Sequence, residues 1–214
     1  MAYRHLEELQ REWPERRATI ERRVRDFRHV GLGTDRELFA ELAYCLFTPG
    51  TSAQRGDEAV RDLAANGLLW NGSRDPIAAF LHRRVRFHNH KAARLVAVRE
   101  RFLGGKESLG AWLRATPPDD ARRHLVLTVD GFGYKEASHF LRNVGRGEDF
   151  AILDRHILKN LVRHGVLRGI PASLTAKRYL AIEERVRAFA DDVLIPMAAI
   201  DLLFWSRETG EVFK

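Results

Sequence analysis

The residues most able to do chemistry are a lysine just after a glycine pair and an aspartate a short way downstream. Gly131, Gly133 and Lys135 stand in Leu127-Thr128-Val129-Asp130-Gly131-Phe132-Gly133-Tyr134-Lys135-Glu136-Ala137. Asp154 and His156 follow in Phe150-Ala151-Ile152-Leu153-Asp154-Arg155-His156-Ile157. An uncharged lysine amine can attack a sugar carbon, and a carboxylate beside it can stabilise the positive charge that develops there. Such an amine needs surroundings that disfavour the ammonium form, and the positive end of a helix is one. A lysine at a helix start is misplaced as a surface charge, which points to function; a plain phosphate contact is the other reading.

The elements around these residues must deliver them to one cleft. The pattern predicts a helix from Asp119 to about Thr128, a turn at Gly131-Phe132-Gly133, and a second helix from Tyr134 to about Val144. Free N–H groups and the dipole at that second helix's start make an anion site suited to a DNA phosphate. Such a contact positions a duplex without reading its sequence. Asp154 stands where it caps a helix running to about His164, a role compatible with catalysis. His156, in the same first turn, is a candidate phosphate donor.

Composition sets the frame. The chain has 214 residues, 45% of them hydrophobic, enough for one domain or for two lobes sharing a cleft. A formal net charge of +7 favours a polyanionic partner, nucleic acid first. Only six of the 36 basic residues are lysine, so Lys135 is not a by-product of a lysine-rich surface. The single cysteine, Cys45, lies in an apolar run and reads as a small buried hydrophobe. One cysteine excludes an intrachain disulfide and a cysteine-ligated iron–sulfur cluster. The N-terminus lacks an apolar signal core and no run approaches a membrane span, so a cytoplasmic, nucleoid-associated protein with no membrane partner is expected.

Helical period and punctuation run through almost the whole chain, and an all-α fold is expected. Pro14 is placed in a first turn, opening a helix through about Phe27. Thr34 and Glu37 form a capping box before a helix to about Phe47. Further helices are read at Ser52 to Asn66, Asn89 to Leu103, around Trp112, Thr175 to Asp191 and Ile195 to Ser206.

These residues resemble the helix-hairpin-helix Gly/Pro-Asp superfamily of DNA glycosylases. Gly131, Gly133, Lys135 and Asp154 match its nucleophile pattern, and His156 matches a phosphate-contacting histidine. The segment before Asp154 has no proline, a departure from the superfamily pattern. Gly133 to Gly145, Ala151 to Leu158 and the tail from Asp201 to Lys214 are most similar to the compact prokaryotic type-2 branch of 8-oxoguanine DNA glycosylase/lyases. That resemblance implies two helical lobes flanking a DNA-binding cleft, with the hairpin (about 119–145) at their junction. Residues 1–30 and 150–214 would form one lobe and 31–149 the other. It implies Lys135 as nucleophile and Asp154 as its partner, with Gly131, Gly133 and His156 on the DNA backbone. The base pocket would comprise Phe87, Asp201, Trp205 and the terminal Lys214. The superfamily often carries Asn or Gln near Thr48-Pro49-Gly50-Thr51-Ser52 to fill the gap left by a flipped base; this chain has Gly50. The implied chemistry needs no metal or organic cofactor, although hairpins of this type sometimes hold a monovalent cation on backbone carbonyls. Damaged duplex DNA is the expected partner and a monomer the expected state. A glycosylase for another oxidised base, and a noncatalytic hairpin that only binds DNA, remain as alternatives.

Overall fold

A computed structural model describes residues 3–105 and 108–214, and among them holds twelve α-helices and no strand. The first, α1 (Leu6–Val30), starts well before Pro14 and carries that proline in its interior. Leu6, Leu9, Trp13, Ile20, Val24 and Phe27 continue one helical stripe through it and pack into a core. Each fully buried side chain contributes about 1.5–3 kcal/mol, so together they outweigh the roughly 3 kcal/mol that an interior proline costs.

Local signals place the next helices closely. Thr34 caps α2 (Asp35–Phe47) with the reciprocal Glu37 bond, and Ser52 caps α3 (Ala53–Ala65). Two short helices went unread in the sequence, α4 (Leu68–Asn71) and α5 (Arg74–Leu81); neither has a side-chain cap at its start. They lead to α6 (His88–Phe102) and α7 (Leu109–Ala115). The hairpin is α8 (Pro118–Thr128) and α9 (Tyr134–Asn143), and then come α10 (Arg155–Arg163), α11 (Ala176–Val193) and α12 (Met197–Thr209).

Two hydrophobic cores organise these helices. One gathers buried residues from Leu38 to Phe150, that is α2 to α9 and the start of the following segment. The other joins α1 to the buried residues between Ala151 and Phe204. Phe132 of the hairpin and Phe140 of α9 belong to the first core, so the hairpin is docked by its own apolar side chains. The chain end departs from the expected division of lobes: Phe213 packs on the first core, and Lys214 reaches Glu41 and Asp57 there. Two carboxylates pull the basic terminus across the cleft.

Cys45 is fully buried, and burial pushes its thiol pKa up. No helix of the described residues is long and apolar enough to cross a membrane.

Candidate active site

The cleft between the two cores is built from segments far apart in sequence. Its outer part, about 690 Å³, is bordered by Thr48 to Gln54 on one side and by Asp154, Arg155 and His156 on the other. Lys135, Trp205 and Lys214 also line it. A narrower inner pocket of about 40 Å³ adjoins, with Lys135, Asp154, Asp201, Trp205 and Lys214 again in its wall. The proposed nucleophile, its carboxylate and three of the four proposed pocket residues therefore share one space.

Lys135 is the second residue of α9, with its side chain 22% exposed. Its Nζ lies 3.7 Å from the Glu136 carboxylate, too far for a hydrogen bond. The hairpin is tighter than its sequence suggests. Gly131 has φ +85°, a left-handed angle that favours glycine; the Arg94 guanidinium, 2.6 Å from where a Cβ would stand, is the end of a flexible side chain and could move aside. Gly133 is extended and does not need glycine for its backbone angles. Its N–H donates to Glu136 Oε2 at 3.1 Å, so that donor, expected to be free for phosphate, is engaged. No side chain caps the start of α9 otherwise, so the helix dipole still faces the cleft.

Asp154 caps α10, its Oδ1 accepting the Ile157 N–H at 2.8 Å. The extended segment that delivers it is gripped from α11. Glu183 accepts the Ala151 N–H at 2.8 Å, while the Tyr179 hydroxyl donates to the Ala151 carbonyl at 2.6 Å and accepts from Leu153 N–H at 3.3 Å. Glu183 also takes two bonds from Arg122 of α8, at 2.8 and 2.7 Å. Arg122 is sandwiched by the rings of Phe150, 3.7 Å away, and Tyr134, 5.4 Å away. This buried bridge ties the hairpin to the Asp154 segment behind the site, where the superfamily pattern would have a proline. His156 lies on the cleft rim with Nδ1 3.9 Å from Glu208.

Lys214 is firmly held. Its ammonium pairs with Glu41 at 2.8 Å and Asp57 at 2.7 Å, and sits 4.6 Å from the centre of the Tyr44 ring. The Tyr44 hydroxyl donates to the Lys214 carbonyl at 2.9 Å. Burial opposes its charge, but Glu41 and Asp57 more than offset this and raise its pKa above the ordinary lysine value. Trp205 lies on the same wall, its ring stacked on Phe213 at 6.4 Å. Asp201 faces Arg142, whose Nη2 is 3.6 Å away. Burial raises the Asp201 pKa, with Arg142 opposing.

Phe87 requires a correction, because it does not line the Lys135 pocket. It is 57% exposed, at φ +60°, and borders a separate basic depression with Gly50, Arg55, Arg83, Arg84 and Arg86. Its ring carries the Arg86 guanidinium at 4.8 Å. The loop between the two depressions is Thr48 to Thr51, where Gly50 has φ +70° and a Cβ would lie 3.8 Å from Phe87 and 3.2 Å from Arg86. Lys91, 2% exposed, holds that loop by donating to the carbonyls of Phe47 at 2.6 Å and Pro49 at 2.7 Å.

Burial lowers the Lys91 pKa to about 8, with Arg94 and Lys135 adding to the effect. Lys91→Met is expected to cost about 1–3 kcal/mol at neutral pH, because two buried carbonyls lose their donor. A lysine depressed in the folded state binds fewer protons there than when unfolded. Its contribution to stability therefore grows as pH rises from about 8 towards the unfolded value near 10.5. Denaturant titrations should show the gap between native and variant widening over that window.

Sequence reasoning missed His139, Arg142 and Tyr44 as lining residues. For His139 the signal was its place one turn after Lys135. For Tyr44 there was none, since its role depends on the far end of the chain.

A family model described as 8-oxoguanine DNA glycosylase matches residues 20–195. The chain is 39% identical over 213 residues to the 8-oxoguanine DNA glycosylase/AP lyase of Fusobacterium nucleatum, covering 98% of each protein. It is 32% identical over 214 residues to the Methanocaldococcus jannaschii protein of the same name, covering 100% of both. It superposes on the crystal structure of the Thermotoga maritima 8-oxoguanine DNA glycosylase with a TM-score of 0.86, at 35% identity over 98% of each chain. It also superposes on the M. jannaschii 8-oxoguanine glycosylase/lyase in complex with a 15mer DNA containing 8-oxoguanine, with a TM-score of 0.84 at 29% identity, over 96% of this chain and 99% of that one.

Proposed function

The chain belongs to the 8-oxoguanine DNA glycosylase family, and on that premise we propose how its cleft removes an oxidised base and cuts the strand. The protein is a bifunctional DNA base-excision enzyme, an 8-oxoguanine N-glycosylase and abasic-site lyase. The observation that carries the mechanism is the convergence of Lys135, Asp154, Trp205 and Lys214 on one pocket from four separate segments.

Duplex DNA lies across the basic face, with a backbone phosphate at the hairpin and another near His156. The damaged guanine turns out of the stack towards Trp205 and Lys214. Phe87, exposed beside Gly50, enters the duplex where the base has left, doing the work that a longer side chain at Gly50 would otherwise do. Lys135 Nζ attacks C1′ while the C1′–N9 bond breaks and its electron pair leaves with the base. Asp154 stabilises the positive charge on the sugar. The lysine adduct becomes a Schiff base as the C1′–O4′ bond breaks and O4′ takes up the proton that the amine gives up, and loss of a C2′ proton then expels the 3′ phosphate and cuts the strand. No step requires a metal or organic cofactor, and one copy of the chain contains every group used.

A duplex with one 8-oxoguanine opposite cytosine, mixed with the protein and borohydride, should give a covalent protein–DNA band that undamaged duplex does not. A band with an abasic-site duplex but none with 8-oxoguanine would move the reading to another base. No band with either would favour simple DNA binding. Truncation of Lys214 is expected to slow 8-oxoguanine excision about tenfold or more while affecting abasic-site cleavage far less, since a hydrogen bond from the charged ammonium to the base edge is lost. Single-turnover rates on both duplexes check this.

A further inference from the structure

The inner pocket holds a buried polar side chain that the mechanism above leaves idle. His139 lies one helical turn past Lys135 on α9, so both project from the same face. The residue is only 6% exposed and lines both the inner pocket and the outer cleft. Neither ring nitrogen has a hydrogen-bond partner among the described residues. The neighbours explain why. Tyr44 packs against the imidazole edge-on at 5.5 Å, but its hydroxyl is committed to the Lys214 carbonyl. The Lys214 backbone approaches the ring, favouring its protonated form slightly, yet falls outside hydrogen-bond geometry.

Packing alone does not account for a histidine here. A phenylalanine or leucine would meet Tyr44 as well, without two buried nitrogens each costing about 1–3 kcal/mol. The residue that carries them lines the space that the base must enter. We infer that His139 is a base-reading residue, whose imidazole hydrogen-bonds the polar edge of the flipped purine. The inference rests on the glycosylase reading above and adds a specificity-determining contact to it. Burial first, then Arg142, Lys135 and Lys214, push the imidazole pKa well below its ordinary value. The ring is therefore neutral and offers one N–H donor and one bare acceptor nitrogen. Oxidation of guanine places an N7–H donor beside a C8 carbonyl acceptor on one edge, and one ring nitrogen can meet either of them. No group of the described residues satisfies the histidine, and a purine in the pocket would supply a partner. A site built in this way rejects ligands that leave its polar groups unpaired.

The test compares two reactions of the same protein under single turnover. His139→Leu and His139→Phe should excise 8-oxoguanine about ten- to a hundredfold more slowly than the native enzyme. They should cleave a pre-formed abasic-site duplex, and be trapped on it by borohydride, at the native rate, because no base is present to be read. Their melting temperatures should equal or exceed the native one. His139→Gln, which restores a donor and an acceptor, should recover part of the excision rate. The phenylalanine variant keeps the ring contact with Tyr44 and decides the matter if the leucine variant does not fold. Native excision rates in the apolar variants would overturn the inference, as would parallel loss of excision and abasic-site cleavage. Absence of 8-oxoguanine excision by the native enzyme would overturn the substrate reading itself, and the role of His139 with it.

Discussion

Lys135→Gln is expected to abolish borohydride trapping and to lower strand cleavage by about ten-thousandfold or more, as loss of a covalent nucleophile does. The variant should still fold and bind damaged duplex. The lysine gives up only a 3.7 Å approach to Glu136, and glutamine fills nearly the same volume at the start of α9. The hairpin remains docked through Phe132 and Phe140. Removal of one cation should reduce the salt dependence of binding by about one phosphate's worth at most. Trapping assays read the first effect, and binding isotherms at several salt concentrations read the second. The other lysine on the cleft is Lys214, which Glu41 and Asp57 hold protonated and which is therefore unsuited to attack. A trapped complex from Lys135→Gln would nonetheless force the nucleophile to be sought there.

The parts of this site written in local pattern are legible in the sequence. Asp154 announces a helix start because its side chain can bond its own first turn, and it does so with Ile157. Thr34 with Glu37 and Ser52 with Arg55 follow the same logic. Gly131 marks a turn whose backbone only glycine adopts easily. What stayed hidden depends on partners remote in sequence. Nothing near Phe87 says that it stands in a separate depression beside the Gly50 loop and outside the Lys135 pocket, because Lys91 sets that loop through carbonyls more than forty residues upstream. The resemblance points to Lys214, but its anchor is a pair of carboxylates on α2 and α3. Pro14 misleads because a first-turn preference is local, whereas the stripe that carries α1 through it is fixed by packing on the opposite core.

Glu183→Ala should be the most destabilising single change among the polar residues, costing about 3–5 kcal/mol. Arg122 and Glu183 are 5% and 2% exposed, so neither charge has water to fall back on. Removing the carboxylate would leave a guanidinium caged between Phe150 and Tyr134 and an unpaired Ala151 N–H. The cost is not the worth of the bridge. Replacing both partners with apolar residues of similar size, Arg122→Met with Glu183→Met, should be far less harmful than either change alone, because no lone buried charge remains. Denaturant unfolding of the four proteins gives the coupling directly, and additive losses would show that the two charges are solvated independently. Catalysis should separate the variants differently from stability. The bridge and Tyr179 fix the path of Ala151 to Leu153, and that path aims Asp154 at the pocket. The double variant should therefore fold well yet cleave abasic-site DNA more slowly than the native enzyme. Glu183→Gln, which can still accept from Ala151, should keep more of the lyase rate than its stability alone would suggest. If the double variant cleaves at the native rate, the placement of Asp154 depends on Tyr179 and the α10 cap alone, and the bridge serves only the joining of the two cores.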